Sequence, residues 1–128
     1  MDFDPIENDR GNLAQASGDD DLALLRGFIE RGDRAALGAL FSRHADAAYR
    51  FALRLSRSPA DAEDILQGAF LEVFRHASSF RGRATVRTWI LGFVLHVSRN
   101  KAREEARRKA RQAEQVVDRM LSVLKSNK

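Results

Sequence analysis

The sequence predicts an all-α protein, a compact bundle of four to five helices in which the fourth is long and basic. Two observations predict it. Only two of 128 residues are proline, 44% are apolar and 31% charged, and the abundance of Ala, Leu, Arg and Glu favours helix over a strand-rich sandwich or barrel. From Leu22 onward apolar residues recur at spacings of three and four, the period of helices with one buried stripe. A chain of this length fits one domain.

The first helix is expected to be capped by Asp20 or Asp21, to carry Leu22, Leu25, Phe28 and Ile29 on one face, and to close with Gly32 at the C′ position. Asp33 caps a second helix whose Leu37, Leu40, Phe41, Ala45, Ala48, Phe51, Ala52 and Leu55 share a face, running to about Ser56. Ser58 followed by Pro59 is an N-cap with proline at the first helical position, and Asp61 is placed to complete a capping box. In this third helix Ala62, Ile65, Leu66, Ala69, Phe70, Val73 and Phe74 point inward, and Asp61, Asp64, Gln67, Gly68 and Glu72 lie on the other side. Residues from His76 to Ala84 read as a loop: two serines, a glycine, Arg81 and Arg83 around Phe80. The fourth helix begins near Thr85 and buries Trp89, Ile90, Phe93, Val94 and Val97. It then continues through Arg99–Arg111 without a large apolar residue. A last amphipathic stretch follows, with Val116, Val117, Met120, Leu121 and Leu124. The expected organisation is a disordered acidic segment over residues 1–19, a helical domain over 20–111, and an amphipathic helix or linker over 112–128.

The net charge of +4 conceals a polarised chain. Residues 1–21 hold seven acids against one base, and residues 75–111 hold eleven bases against Glu104 and Glu105. So dense a basic block points to a polyanion, most simply nucleic acid, with the acidic segment as its intramolecular shield. The chain has no cysteine, which excludes disulfides and thiolate metal sites and suits a reducing compartment. The longest apolar run, Trp89 to Val97, is broken by Gly92 and His96 and is far too short to span a bilayer. The N-terminus lacks the basic and apolar parts of a signal peptide. A cytoplasmic protein without membrane insertion is therefore expected. His44, His76 and His96 are scattered, there is no phosphate-cradling glycine loop, and the helix-three acids have no metal-ligand partners in sequence. Neither catalysis nor a cofactor is expected.

Four linked blocks carry a resemblance: Tyr49-Arg-Phe-Ala-Leu-Arg-Leu, Ser58-Pro-Ala-Asp-Ala-Glu-Asp-Ile-Leu-Gln67, Phe70-Leu-Glu-Val-Phe-Arg-His76 and Ser79-Phe-Arg-Gly-Arg-Ala-Thr-Val-Arg-Thr-Trp89. In order and spacing they resemble region 2 of extracytoplasmic-function (ECF) RNA polymerase sigma factors, over roughly residues 22–111. The resemblance implies a non-enzymatic transcription protein whose third helix docks on the clamp helices of the polymerase β′ subunit. Asp61, Glu63, Asp64, Gln67 and Phe70 stand where the family's polymerase contacts stand. It also implies that the loop before the fourth helix accepts a base flipped from the non-template strand of the promoter −10 element. Phe80 would then offer an aromatic contact, with Ser78, Ser79, Arg81 and Arg83 making polar and phosphate contacts. Taken alone, Phe80 reads as an apolar plug closing the loop, and Trp89 reads as core. The basic helix would lie along the promoter backbone through Arg87, Arg99, Lys101, Arg103, Arg107 and Arg108. An anti-sigma factor is a further implied partner.

The family pattern continues into a second helical domain, region 4, which reads the −35 element, and no such pattern follows here. Three readings follow: the sequence is a piece of a longer protein, it works alongside a separate region 4, or it engages polymerase or a regulator without initiating transcription, and the sequence does not choose among them. The alternative is a sigma-like decoy that binds an anti-sigma factor or polymerase without opening DNA, with Gln112–Lys125 as its partner or dimer surface. Two local departures stand out. Gly68-Ala69 stands where the family commonly has an acid and a threonine or glycine, and Leu95 replaces a common base. Gly68 in a helix interior costs about 1 kcal/mol against alanine, which points to close approach by another backbone.

Overall fold

In the computed structural model, which describes residues 11–127 and the side chains of 18–127, four helices follow one another: α1 Gly11–Arg31, α2 Arg34–Leu55, α3 Pro59–His76 and α4 Val86–Ser126. A 3-10 turn, Ala77–Ser79, follows α3, and there is no strand among the described residues. Among the described residues no helix is long and apolar enough to cross a membrane.

The helix boundaries set by caps agree with those read from sequence. The Asp33 carboxylate accepts from Ala36 N at 3.1 Å, and the Ser58 hydroxyl accepts from Asp61 N at 3.1 Å. Thr85 Oγ1 accepts from Thr88 N at 3.1 Å and starts α4. Each bond satisfies one of the amides that a helix start leaves orphaned. The return half of the capping box does not form, because the Asp61 carboxylate faces Lys101 instead, at 3.8 Å. Gly32, at φ 65°, ends α1 by donating its N–H to Phe28 O at 2.9 Å. That left-handed conformation is cheap only without a Cβ.

The start of α1 differs from expectation. The helix runs from Gly11, and Asp21 sits in its interior rather than at its cap. The reason is that Leu13-Ala-Gln-Ala16 are ordinary helix formers with no proline after them. Propagation from a docked segment is therefore easy. The first ten residues of the acidic segment lie outside the described residues.

Two clusters of buried side chains make the core. Leu25, Leu37, Leu40, Val73, Ala77, Val86 and Ile90 form one, at the end of the bundle nearest the 3-10 turn. Ala48, Ala52, Ala62, Ile65, Ala69, Leu91 and Val94 form the other. Phe70 and Phe93 pack against both and join them. The second cluster is rich in alanine, so α2, α3 and α4 approach closely there and little side-chain freedom is lost on packing.

Gly68 belongs to this close approach, not to an outer face. A Cβ built on it would lie 2.9 Å from Val97 Cγ1. What comes close is thus a β-branched side chain of α4 rather than the backbone. Phe74 departs from the inward face in the opposite sense. It is 43% exposed, with its ring 5.4 Å from that of Phe28.

The predicted C-terminal amphipathic segment is not a separate element. It is the last part of α4, which holds 41 residues in one helix and is exposed along nearly all of its length beyond Lys101.

Candidate functional site

Two surfaces gather the residues of interest, and α4 connects them. The first lies where the 3-10 turn and the following loop meet the start of α4. The Ser79 hydroxyl donates to His76 O at 2.6 Å and closes the turn, and Arg81 Nη1 donates to Ser78 O at 3.0 Å. Gly82 reverses the chain at φ 74°, a conformation unfavourable for a residue with a side chain. Together these bonds hold the loop open beside α4 and leave a cavity of about 650 Å³.

Phe80, Trp89 and Phe93 form the apolar wall of that cavity, and Arg81 and Arg83 stand on its loop side. Phe80 and Trp89 meet edge to face at 5.1 Å, and Trp89 and Phe93 do so at 5.2 Å. Both Phe80 and Trp89 are half-buried and pack against the first core cluster. Each therefore has one side in the core and another on the cavity, which reconciles the core reading with the site reading. Ser79 lines the cavity, whereas Ser78 contributes its carbonyl to the loop brace.

Sequence reasoning left His96 at the edge of the core, but it is exposed, lines the cavity and lies 3.2 Å from Asn100 Nδ2. Gly92 lines it as well. The signal was present in the chain, because Trp89, Gly92, Phe93 and His96 are spaced three and four apart on the helix flank nearest the loop.

Along α4 the cations divide by what they touch. Arg103 Nη1 donates to Asn100 Oδ1 at 3.2 Å, Arg107 lies 3.5 Å from Glu104, and Arg108 pairs with Glu105. All three remain exposed, as does Arg99. Lys101 turns to α3 instead, with Nζ 3.8 Å from Asp61 and 3.5 Å from Asp64. Arg87 is held inside the domain, its Nε donating to His44 Nδ1 at 3.1 Å.

That last bond belongs to a buried network that sequence reasoning missed. His44 Nε2 lies 2.9 Å from Asp21 Oδ2, and Arg43 Nε lies 3.2 Å from Asp21 Oδ1. Because Nδ1 accepts from Arg87, the geometry assigns the Nε2–H tautomer, which donates to Asp21. The chain Asp21–His44–Arg87 links α1, α2 and the first turn of α4. Asp20 also reaches Arg43, at 3.6 Å. These two acids dock α1 onto α2 rather than shield the basic helix. The hint lay in the spacing: His44 falls four residues after Leu40 and four before Ala48, on the buried stripe of α2.

The second surface is the outer face of α3. Glu63, Gln67 and Phe70 line a shallow apolar depression of about 580 Å³ together with Phe41, Leu66, Leu71 and Phe74. Phe41 and Phe70 stack at 4.2 Å with nearly parallel rings and form its floor. Leu71 is 48% exposed. Asp61 and Asp64, expected with this group, are drawn to Lys101 at its border. The structure thus splits the five candidate residues between an apolar depression and an ion-paired edge.

A capped helix with an apolar–acidic outer face, an aromatic–basic loop cavity and a basic helix leading away from it match a known arrangement. Residues 40–112 fit the family described as Sigma-70 region 2. The chain belongs to the sigma-70 region 2 family. Among curated relatives it is 39% identical over 83 residues to the ECF RNA polymerase sigma factor SigM of Mycobacterium tuberculosis, covering 65% of this chain and 42% of that protein. It is 42% identical over 57 residues to the ECF RNA polymerase sigma factor SigE of Mycolicibacterium smegmatis, covering 42% of this chain and 22% of that protein. The chain thus spans less than half the length of these relatives. Among solved structures it resembles an engineered region 2 of sigmaE determined by NMR in complex with GTAAAA, at 25% identity and a TM-score of 0.62. That likeness covers 69% of this chain and 90% of the other.

Proposed function

We propose that the chain acts in bacterial transcription initiation as a sigma region 2, docking on the β′ clamp helices of RNA polymerase and holding the non-template strand of the −10 element. The observation that carries this reading is the cavity bounded by Phe80, Trp89 and Phe93 on one side and by Arg81 and Arg83 on the other. Its position after α3 matches a family in which one solved relative is a complex with GTAAAA.

An extruded base presents a π-face and hydrogen-bonding edges, and its phosphates need cations nearby. The aromatic wall supplies the first, His96 and Ser79 offer polar atoms for the second, and the loop arginines supply the third. Arg99, Arg103, Arg107 and Arg108 then follow the backbone away from the cavity along one helix. They contribute affinity that falls with salt rather than sequence choice. Arg87 and Lys101 have internal roles. Arg87 braces the loop end of α4 against α2, and Lys101 ties the nucleic-acid helix to the polymerase-facing helix.

Docking on polymerase is assigned to the α3 depression. Apolar side chains rimmed by Glu63 and Gln67 suit a partner coiled coil that offers aliphatic stems and basic ends. An anti-sigma factor that withholds the protein from polymerase would have to cover this same depression.

The cavity contains the chain's single tryptophan, so binding can be followed from the protein itself. Titrating a −10-like single-stranded hexamer such as GTAAAA is expected to change Trp89 fluorescence, with weaker binding of a scrambled hexamer at equal salt. Equal affinity for both sequences would instead favour a sigma-like decoy with only unspecific DNA affinity.

A further inference from the structure

The end of α4 carries a pattern that neither proposed surface uses. We infer that residues 106–124 form a parallel, in-register coiled coil with a second copy of this chain. Ala106, Ala110, Ala113, Val117, Met120 and Leu124 are separated by alternating steps of four and three, which is an unbroken a/d seam over nearly three heptads. The b, c and f positions between 108 and 126 hold only Arg, Gln, Asp, Ser and Lys. An apolar seam with a wholly polar back is the signature of a helix that pairs with one other helix.

The structure leaves this seam uncovered. Val117 is 51% exposed, and Met120 and Leu124 are each 62% exposed. The small alanines lie nearest the body of the domain, where two helices must converge. The large side chains lie at the far end, where they can bury one another.

The flanking e and g positions select the partner and its direction. In a parallel homodimer a g residue meets the e residue five positions later on the other chain. Lys109 then faces Glu114 of the second copy, and Val116 faces Leu121, so one opposite-charge pair and one apolar pair form on each side. An antiparallel overlap centred on Val117 brings Lys109 to the Lys125 end of the second copy and loses the pair. Upstream, Arg103 and Arg99 continue the seam positions with charges, so pairing stops at Ala106 and the two basic segments diverge.

Sedimentation of the whole chain between about 5 and 500 µM tests this. The expected result is a concentration-dependent monomer–dimer equilibrium whose dissociation constant rises at least tenfold in Met120→Glu, with an unchanged thermal midpoint at concentrations where both proteins are monomeric, since Met120 is 62% exposed. Lys109→Glu is expected to weaken the dimer, and Lys109→Glu with Glu114→Lys to restore it. The chain has no cysteine of its own, so Leu124→Cys reads the register. Equivalent seam positions face each other across a parallel pair at distances a disulfide can bridge, and rapid cross-linking under mild oxidation is expected. A monomer at all concentrations, a dimer indifferent to Met120→Glu, or a dimer that fails to cross-link at this position would each overturn the proposal. None of these results touches hexamer binding at the loop cavity, so the two readings fail separately.

Discussion

His44 Nε2 stands 2.9 Å from Asp21 Oδ2, with the two residues 4% and 5% exposed. A carboxylate this deep is tolerable only while it is paired, so the bond does more than join two helices. On the other side of the imidazole, Nδ1 receives Arg87 Nε at 3.1 Å. Packing of α1 is thereby coupled to the first turn of α4.

Removing one member should be strongly destabilising and non-additive. His44→Ala is expected to lower stability by about 1.5–3 kcal/mol, the range for a hydrogen bond to a charged group. Once Asp21→Ala is in place, the further loss from His44→Ala should be smaller by at least about 1 kcal/mol. Urea unfolding of the two single variants and the double variant measures this coupling, and strictly additive losses would count against the network.

Gly68→Ala should destabilise the domain even though alanine is the better helix former. The new methyl gains about 1 kcal/mol in propensity but meets Val97 Cγ1 at 2.9 Å. Overpacking of that kind costs about 1–3 kcal/mol, and Val97, branched at Cβ, has few rotamers with which to yield. A net loss of about 1 kcal/mol is expected. In a Val97→Ala background the same change should become stabilising, a reversal of sign that thermal melts would detect.

Loss of the caps gives smaller, independent effects. Ser58→Ala and Thr85→Ala are each expected to cost about 1 kcal/mol. Their sum should hold in the double variant, because they start different helices and share no partner. Thr85→Ala should also slacken the cavity loop, visible as faster amide exchange between Arg81 and Ala84.

The cavity aromatics and the helix arginines should separate in a binding assay. Phe80→Ala is expected to weaken hexamer binding by about 1–3 kcal/mol, the scale of one base–aromatic stack, with little change in salt dependence. Arg103→Ala or Arg107→Ala should reduce the slope of log affinity against log salt on a longer single strand by about 0.7 for each phosphate no longer neutralised. Sequence preference should stay the same. The opposite assignment, with Phe80 altering the slope and the arginines altering preference, would refute the division of labour.

Much of this fold was legible in the chain because caps and periodicity are local signals. Asp33, Ser58 and the neighbourhood of Thr85 announce helix starts through bonds to residues three positions away. The long-range features were not legible in the same way. Nothing near Asp21 marks it as a buried partner of a histidine 23 residues on, and a run of acids reads more simply as a solvated tail. Gly68 announced a close approach but not which atoms approach, since that depends on how α3 and α4 cross. The loop residues from Ser79 to Arg83 were identifiable by composition. The α4 half of their cavity, Gly92 and His96, shares a helix flank with Trp89 and Phe93 by its spacing, but that this flank faces the loop shows only once loop and helix are side by side. Asp61 and Asp64 looked equivalent to Glu63 and Gln67 in sequence, and Lys101 separates them in space.

The central claim is that α3 is a polymerase-docking face, and binding of the whole chain to an isolated β′ clamp-helix fragment tests it most directly. Glu63→Arg with Gln67→Ala is the informative variant, because both residues are exposed, line the depression and avoid the Lys101 ion pairs. Saturable binding by the unaltered chain, abolished in the variant while thermal stability is kept, is the predicted result. No binding by the unaltered chain, or equal binding by the variant, would contradict the account.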